Sequence, residues 1–486
     1  MKQLHNVIDG IAVQALDSAV RDVVNPFTEQ VIAQIPAGSA ADADAAVESA
    51  RTAQEAWAAL DLEERLRYLS RTADVVEGHI RELAELESQE MGKPIPVAEQ
   101  FIAGGISALR ASVEQARTYP FVADVTAPGE PGRTIVIRQP LGVVALIVPW
   151  NFSVSSILAS IGPLIAAGDT VVIKPSEKAP LSAARLIELF DVPPGVVNLL
   201  HGDARAGRPL VEHEAVKLVH FTGSVEAGRS VGVAAAKRLQ RSILELGGND
   251  PVIVDRDVDV VATAKAVAMS TFINSGQICT SSERIYVHRT IADEFTHALV
   301  AETEAFAMID DPESYGLGPI VDDDQRNIMH AHVLDAVAHG ATVLVGGELP
   351  DRLGYFYPAT VITGATPDMR IMNEETFGPV APITVVDSFD EAITLANGTS
   401  FGLASTVYSR NPENLKRCGE INAAIVWINE WQSGGVGVTY EPWGLSGVGA
   451  TGGVASFDAA TRPFSMVYSS YTEVVDATSV QIAEND

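Results

Sequence analysis

Short apolar runs alternate with helical segments from residue 143 onward, and this pattern constrains the fold more than any other feature. Residues 143–148 (VVALIV) are entirely apolar, as expected for a strand buried on both faces of a sheet. The following segments are predicted to be helix 154–167, strand 170–173, helix 181–190, strand 196–200, strand 216–221 and helix 225–238. Such alternation predicts an α/β fold in which helices cover both faces of a mostly parallel sheet.

The rest of the chain extends this pattern without a clear boundary. A second alternation occupies about 248–465, and helices are predicted at 41–58 and 62–91. A β-branched, alternating segment at 133–138 predicts a strand, and the tail at 468–482 is predicted to be extended. Since there is no internal repeat or long low-complexity linker, we expect interleaved domains.

The charge balance excludes several classes of partner. The 486 residues include 33 Lys and Arg against 63 Asp and Glu, a net charge of −30. Nucleic acids and anionic membranes require basic surfaces, so neither is expected as a partner. The chain shows no signal-peptide pattern and no apolar run near the roughly 20 residues of a membrane span. Two cysteines make no disulfide framework, and a cytoplasmic protein is predicted.

Cys279 lies in a small, polar segment, 274–280 (NSGQICT), that suits a reactive thiol. The thiolate is the nucleophilic form of cysteine and needs polar surroundings. Upstream, Glu245 stands at a glycine turn in 244–248 (LELGG). A cysteine nucleophile with a carboxylate base indicates covalent catalysis with a hydrolytic second step. The alternatives are a small buried cysteine and a solvated surface glutamate.

Asn151 follows the buried strand 143–148, where ligands collect in open α/β sheets. Its side-chain amide could donate to a developing oxyanion together with the backbone N–H of the nucleophile. The alternative is an N-cap for the helix 154–167.

Two further motifs follow strands and are suited to a dinucleotide. Lys174 and Glu177 (KPSE) could hydrogen-bond the hydroxyls of a ribose, although such a pair is often only a solvated turn. The segment 221–228 (FTGSVEAG) opens a helix, where a pyrophosphate is favoured by the glycine backbone and the helix N-terminus. The alternative there is a plain strand-to-helix turn.

Taken together, these motifs resemble the aldehyde dehydrogenase superfamily over nearly the whole chain. PWNF, KPSE, FTGSxxxG, ELGG, GQxCT and EExFGPV occur in the order typical of that family. The resemblance implies a Rossmann-like NAD-binding domain at 1–120 and 141–247 and an α/β catalytic domain at 248–465. A small β oligomerisation arm would combine 121–140 with 466–486, so a homodimer or homotetramer is expected.

The resemblance also implies a mechanism for oxidising a small-molecule aldehyde. Cys279 would attack the aldehyde carbon, and Asn151 with the Cys279 backbone N–H would hold the oxyanion. Hydride transfer to NAD would leave a thioester, which water activated by Glu245 would hydrolyse. The residues that the resemblance assigns to the cofactor are Trp150, Lys174, Glu177, Gly223, Ser224, Gly228, Leu246, Glu375 and Phe377.

Glu177 bears on the choice of cofactor. A carboxylate near the ribose 2′ position accepts hydrogen bonds from a hydroxyl and repels a phosphate, so NAD is predicted, with NADP less favoured. The ten histidines show no ligand spacing, so no metal is predicted.

The segment 442–449 (PWGLSGVG) departs from the pattern of many family members, because Gly447 replaces a lysine. That glycine resembles the benzaldehyde- and vanillin-oxidising branch. Trp443 is predicted at the aldehyde tunnel, where it could stack on an aromatic substrate or attract an ammonium group. An aromatic or medium apolar aldehyde ranks first, a betaine or amino aldehyde second and a semialdehyde third.

Two other functions compete with aldehyde oxidation to the acid. A dehydrogenase that transfers the acyl group to coenzyme A needs no water-activating base, so the presence of Glu245 argues against it. A non-catalytic binding protein is disfavoured because Cys279, Glu245 and Asn151 are all present.

Overall fold

Residues 2–17, 19–435 and 437–469 are described by the computed structural model, and they form a mixed α/β fold, which confirms the predicted class. In chain order the strands are β1 (Lys2–Gln3), β2 (Asn6–Ile8), β3 (Ile11–Val13), β4 (Val20–Asn25), β5 (Gln30–Pro36), β6 (Val122–Asp124), β7 (Arg133–Pro140), β8 (Val143–Val148), β9 (Thr170–Pro175), β10 (Val197–Leu199), β11 (Val216–Thr222), β12 (Arg241–Glu245), β13 (Asp250–Val254), β14 (Ser282–His288), β15 (Thr342–Val345), β16 (Thr360–Thr363), β17 (Val380–Val386), β18 (Ala404–Tyr408), β19 (Ile425–Ile428), β20 (Gly447–Val448) and β21 (Thr461–Tyr468). The helices are α1 (Ala40–Ala58), α2 (Leu62–Glu77), α3 (Ile80–Met91), α4 (Ile95–Thr118), α5 (Ser153–Ala167), α6 (Leu181–Glu188), α7 (Ala204–Glu212), α8 (Val225–Lys237), α9 (Val260–Phe272), α10 (Ala292–Glu302), α11 (Asp323–Ala338), α12 (Phe389–Ala396), α13 (Pro412–Leu415) and α14 (Gly453–Ala459).

The larger sheet has eight strands in the order β20-β12-β11-β8-β9-β10-β2-β3. Its inner pairs, from β12 to β10, are parallel, and antiparallel strands close both edges. Every residue of β8 is buried, because apolar residues of α2–α6 cover one face of the sheet and those of α1, α7 and α8 cover the other. The carboxyl ends of β8, β9, β11 and β12 therefore meet at one edge.

The second sheet has seven strands in the order β15-β16-β17-β14-β13-β18-β19, parallel except for the β15–β16 pair. Cys279 lies just before β14, and the segment 374–379 lies just before β17. These two loops therefore project from neighbouring strands at the same edge of the sheet.

Two three-stranded sheets complete the part of the fold that the structure describes. One has the order β1-β5-β4, and the other has the order β21-β7-β6. In the second sheet, β21 near the end of the described chain pairs with β7 at 133–140. The predicted extended tail at 468–482 lies outside the described residues, apart from 468–469. The division into three domains stays a prediction, and β20 and β21 each join a sheet made by earlier strands.

The prediction of one helix over 62–91 was wrong, because α2 and α3 are separate. Glycine at position 78 is a poor helix former, and the His79 imidazole bonds the Val75 carbonyl at 2.8 Å, which helps to end α2. The sequence analysis also missed α4, whose two glycines interrupt a helical pattern. A Cβ at Gly105 would lie 2.8 Å from the Ser155 Cα, so this glycine permits the close packing of α4 on α5.

Candidate active site

A cavity of about 860 Å³ lies where the two main sheets meet, and it brings most of the predicted site residues together. The predicted residues among its lining are Trp150, Asn151, Lys174, Glu177, Gly223, Ser224, Leu246, Cys279, Glu375 and Phe377. Gly228, Glu245 and Trp443 are not among the lining residues. The predicted ribose-binding turn and the predicted nucleophile thus line the same cavity.

The loop that carries Cys279 has an unusual backbone. Asn274, Ser275 and Gly276 all have positive φ, between 52° and 69°, and a Cβ at Gly276 would lie 2.2 Å from the Gly378 carbonyl oxygen. Three successive left-handed residues are costly unless the surroundings hold them. The Ser275 hydroxyl donates to Gly318 O at 2.7 Å, and Gln277 Oε1 accepts from the Val321 N–H at 2.9 Å. The loop is therefore anchored from outside.

The Cys279 thiol is partly exposed to this cavity, as a nucleophile must be. Burial raises its pKa above the ordinary thiol value, and the nearby charges of Glu375, Asp250 and Glu245 raise it further. The thiol is thus protonated at neutral pH in the free protein, and a base has to remove the proton before attack.

Asn151 is buried, and its Nδ2 donates to the Gln277 carbonyl at 3.0 Å. The amide has two N–H bonds, so the one not directed at Gln277 can donate to an oxyanion formed at Cys279. The alternative N-cap role is not observed, because α5 has Phe152 at its N-cap position.

Glu245 ends β12 and is only 8% exposed. Burial raises its pKa to about 7, although hydrogen bonding by Thr451 and Tyr440 lowers it in part. A carboxyl group with this pKa exchanges protons readily at neutral pH, which suits a general base.

Glu375 and Phe377 reach the cavity from the loop before β17. Glu375 Oε1 accepts from the Gly248 N–H at 3.0 Å, and a Cβ at Gly247 would lie 2.2 Å from Glu375 Oε2. The paired glycines of the ELGG motif therefore make room for this carboxylate. The Phe377 ring meets the Trp150 ring edge-on at a centroid distance of 5.3 Å.

The opposite end of the cavity contains the predicted ribose and pyrophosphate residues. Lys174 Nζ donates to the carbonyls of Pro175 and Gly202 at 3.0 and 2.7 Å, and burial lowers its pKa. Ser224 is the N-cap of α8, and its hydroxyl accepts from the Ala227 N–H at 3.3 Å. The first-turn N–H groups of α8 thus lie at the cavity wall, where they favour an anion.

A family model for the aldehyde dehydrogenase family matches residues 13–465. The chain belongs to the aldehyde dehydrogenase family. A chloroplastic aminoaldehyde dehydrogenase of Arabidopsis thaliana is 38% identical over 438 residues, covering 87% of each protein. The crystal structure of an NAD-dependent aldehyde dehydrogenase from Sinorhizobium meliloti is 34% identical, with a TM-score of 0.94 over 98% of this chain and 96% of that chain. An E. coli NADP dependent enzyme is 32% identical, with a TM-score of 0.93 over 96% of this chain and 98% of that chain.

The predicted family, fold and enzyme class are therefore confirmed, and the chain is an aldehyde dehydrogenase. One of these solved relatives is NAD-dependent and the other NADP dependent, which agrees with the predicted nicotinamide cofactor. The benzaldehyde and vanillin branch stays a prediction.

Gly447 of this aldehyde dehydrogenase has a structural role. It lies in β20 opposite Glu245 with φ of 137°, and a Cβ there would lie 1.8 Å from the Leu244 carbonyl oxygen. Only glycine fits this contact. Trp443 nearby is 66% exposed, and its proposed contact with substrate stays a prediction.

An apolar cluster beside the nucleophile was missed in the sequence analysis. Its members are Val97, Phe101, Phe152, Ile273, Ile278 and Trp431. The Trp431 indole N–H donates to Thr280 O at 2.9 Å, next to Cys279. These residues come from distant segments, so the sequence could have signalled only the apolar residues within or beside the PWNF and GQxCT motifs, which are Phe152, Ile273 and Ile278.

Two negative findings apply to the residues that the structure describes. Within 2–17, 19–435 and 437–469, no three His, Cys, Asp or Glu side chains are placed to hold a metal ion. Over the same ranges, no helix has both the length and the apolar character that crossing a membrane requires.

Proposed function

We propose that this aldehyde dehydrogenase oxidises an aldehyde to its carboxylic acid through a thioester on Cys279, with NAD as the preferred cofactor. The observation that carries the proposal is that Asn151 and Glu245 both approach Cys279, which lines the cavity. The Asn151 amide bonds the main chain two residues before Cys279, and the charge of Glu245 contributes to raising the pKa of that thiol.

In the first half of the reaction, a base takes the Cys279 proton and the sulfur adds to the aldehyde carbon. The free N–H of Asn151 and the backbone N–H of Cys279 stabilise the negative charge on the former carbonyl oxygen. A bound nicotinamide cofactor supplies the two-electron acceptor. Collapse of the oxyanion would break the aldehyde C–H bond, whose hydrogen would leave as hydride to that acceptor, and the acyl group would stay on sulfur as a thioester.

In the second half, Glu245 removes a proton from water. The hydroxide adds to the thioester carbon, the C–S bond breaks, and the electron pair leaves on the Cys279 sulfur. The pKa of about 7 makes Glu245 basic enough for this step at neutral pH without trapping the proton.

The cavity suits a dinucleotide along its length. Lys174 and Glu177 lie at a strand end, where they would bind the adenine ribose, and the start of α8 at Ser224 lines the same cavity, where it would meet the pyrophosphate. Glu375 and Phe377 lie near Cys279, where they would contact the nicotinamide ribose and ring. The Glu177 carboxylate supports NAD over NADP, because it repels a 2′-phosphate.

The apolar cluster beside Cys279, which contains three aromatic rings, supports an aromatic or medium apolar aldehyde as substrate. Phe101 and Phe152 are 4.6 Å apart by ring centroids, and Trp431 lies in the same cluster. An aromatic ring entering this region gains apolar burial and edge-to-face contacts.

A betaine or amino aldehyde is the second candidate, favoured by the indoles of Trp431 and Trp443. A cation over an indole face is stabilised by the ring quadrupole. Semialdehydes rank third, and acyl transfer to coenzyme A and a purely binding role rank lower still.

A homodimer or homotetramer in the cytoplasm is part of the proposal. The strand β21 lies at the edge of its three-stranded sheet, with Phe464 45% and Val467 77% exposed. Among the described residues β21 pairs with β7 on one side only, and an apolar edge strand is suited to pairing with a second copy of the chain.

NADH formation at 340 nm with benzaldehyde, vanillin, betaine aldehyde, succinic semialdehyde and propanal tests the proposal, with wild type beside Cys279→Ala. We expect turnover by the wild type, fastest with an aromatic aldehyde, and none by the variant. If no aldehyde reacts with NAD or NADP, the reaction is wrong, and coenzyme A is then added to detect acyl transfer. Fastest turnover of betaine aldehyde would replace the first substrate class with the second.

A further inference from the structure

Two hydroxyl groups close on the Glu245 carboxylate from a segment about 200 residues further along the chain. Thr451 Oγ1 donates to Glu245 Oε1 at 2.8 Å, and both residues are less than a tenth exposed. Tyr440 pairs with Thr451 across an isolated bridge, and its hydroxyl also lowers the pKa of the same carboxyl group. Thr451 and Tyr440 are called the hydroxyl clamp below.

The two residues of the hydroxyl clamp are joined through their backbones. Tyr440 and Thr451 face each other across an isolated antiparallel bridge, and each N–H donates to the other's carbonyl at 2.9 Å. The two backbones are therefore held side by side next to Glu245.

The same segment is fastened to the strand that carries the base. In β20, Gly447 pairs with Glu245 and Val448 with Leu244. The Leu246 N–H also donates to Ser446 O at 2.9 Å. Base and clamp thus belong to one hydrogen-bonded unit, and rotation of the Glu245 side chain would break its bond with Thr451.

The chemistry of the contact favours the ionised base. A hydroxyl that donates to a carboxylate stabilises the anion, whereas burial of the same group favours the neutral acid. Without the clamp, burial would act alone, and a larger share of Glu245 would be protonated at neutral pH.

We propose that Thr451 and Tyr440 are positioning residues that hold Glu245 as an oriented carboxylate for the hydrolysis of the acyl-enzyme. This inference rests on the proposed function, because it takes Glu245 as the base that activates water. In that step the water proton passes to Glu245, a C–O bond forms at the acyl carbon and the C–S bond to Cys279 breaks. The electron pair of that bond stays on sulfur.

The test uses the full-length enzyme and p-nitrophenyl acetate, an activated ester that acylates a thiol without a cofactor. The nitrophenolate burst reports acylation, and the later steady rate reports acyl release. For Thr451→Val we expect the pH at which acyl release rises to move up by about one unit, which makes release about fivefold slower at pH 7. Thr451→Ser restores both values, and Tyr440→Phe changes them in the same direction.

Thr439→Val is the matched control. The Thr439 hydroxyl lies in the same segment and donates to Gly452 O at 2.9 Å, so its removal costs a hydrogen bond away from Glu245. We expect a wild-type pH profile for this variant.

Aldehyde oxidation by the same proteins separates the possible failures. In one outcome the wild type oxidises aldehydes, while Thr451→Val and Tyr440→Phe release acyl groups at the wild-type rate and with the wild-type pH dependence. The proposed role of the hydroxyl clamp is then wrong, and the proposed function stands. Slower acyl release by Thr451→Val with an unshifted pH dependence also overturns the proposed role of the clamp, since it indicates only a structural loss. If no aldehyde is oxidised but ester hydrolysis responds as expected, the clamp stands and the proposed oxidation is wrong. A wild type that releases no acyl group overturns both.

Discussion

Asn151 and Gln277 are joined by a 3.0 Å hydrogen bond that crosses 126 positions of the chain. The bond runs from the side-chain amide after β8 to the main-chain carbonyl two residues before Cys279. It holds the predicted oxyanion donor against the predicted nucleophile loop. The larger and the smaller parallel sheets therefore contribute to one site through this contact.

Replacing Asn151 by aspartate removes both amide N–H donors at nearly constant volume. We expect kcat to fall by about 100-fold to 1000-fold, since a lost oxyanion donor costs this much in other enzymes. Steady-state oxidation of the best aldehyde measures it. Asn274→Gly is the control, because Asn274 Nδ2 donates to the same carbonyl at 3.2 Å and glycine tolerates its positive φ. An equal fall in both variants would mean that Asn151 only anchors the loop.

Glu245→Gln should separate the two halves of the reaction. We expect a rapid burst of about one NADH per site followed by a steady rate at least 100-fold below wild type, because the thioester forms but water is not activated. Stopped-flow absorbance at 340 nm measures both phases. In the wild type, acyl release should rise with pH around 7, the pKa of Glu245, as the carboxyl loses its proton. A glutamine variant without a burst would place Glu245 in the first half instead.

The same substitution should stabilise the protein at alkaline pH. Burial raises the Glu245 pKa from 4.5 to about 7, so ionisation in the folded state costs stability as pH rises through this window. The cost is about 3 kcal/mol once both states are ionised, and neutral glutamine does not incur it. Urea unfolding should show an advantage for Glu245→Gln that grows by about 1 kcal/mol between pH 6 and pH 8.5. An advantage that is constant with pH would contradict the raised pKa.

Lys93 and Glu87 form a buried ion pair that supports the loop after β8. Lys93 Nζ lies 2.6 Å from Glu87 Oε2, neither side chain is more than 2% exposed, and Glu87 Oε1 accepts from the Val154 N–H. Lys93→Met leaves a buried carboxylate unpaired, so we expect a loss of about 3 kcal/mol in the free energy of unfolding. Thermal and urea unfolding measure it.

The exposed pair Lys416–Glu413 is the control for this substitution, since its side chains are 68% and 77% exposed. Lys416→Met should change the free energy of unfolding by less than about 0.5 kcal/mol. If Lys93→Met were equally mild, the buried pair would contribute nothing to the fold.

Glu177→Gln should relax the choice of cofactor. The variant removes the charge that opposes a 2′-phosphate while keeping a hydrogen-bond acceptor, so we expect kcat/KM for NADP to rise about tenfold relative to NAD. Parallel assays with both cofactors measure the ratio. Glu226→Gln, which removes another carboxylate from the cavity lining, should leave the ratio nearly unchanged. Equal efficiency of the wild type with NAD and NADP would refute the preference.

The α/β class could be predicted from the sequence, and the residues proposed for catalysis could be named from it, because their signals are local. The β8 run is apolar throughout because both faces of its sheet are covered, and Asn151 follows it directly. Cys279 and Glu245 stand in short glycine-containing segments whose composition indicates a turn. Each of these features depends on the residues within one strand or loop.

Tertiary structure decided the features that depend on partners far along the chain. The Asn151 contact with Gln277 spans 126 positions, and the Thr451 contact with Glu245 spans 206 positions. Glycine at 247 is explained only by the carboxylate of Glu375 that lies against it. A sequence shows which groups can donate, accept or ionise, but burial and hydrogen bonding set their pKa and orientation. These depend on which distant segments pack together.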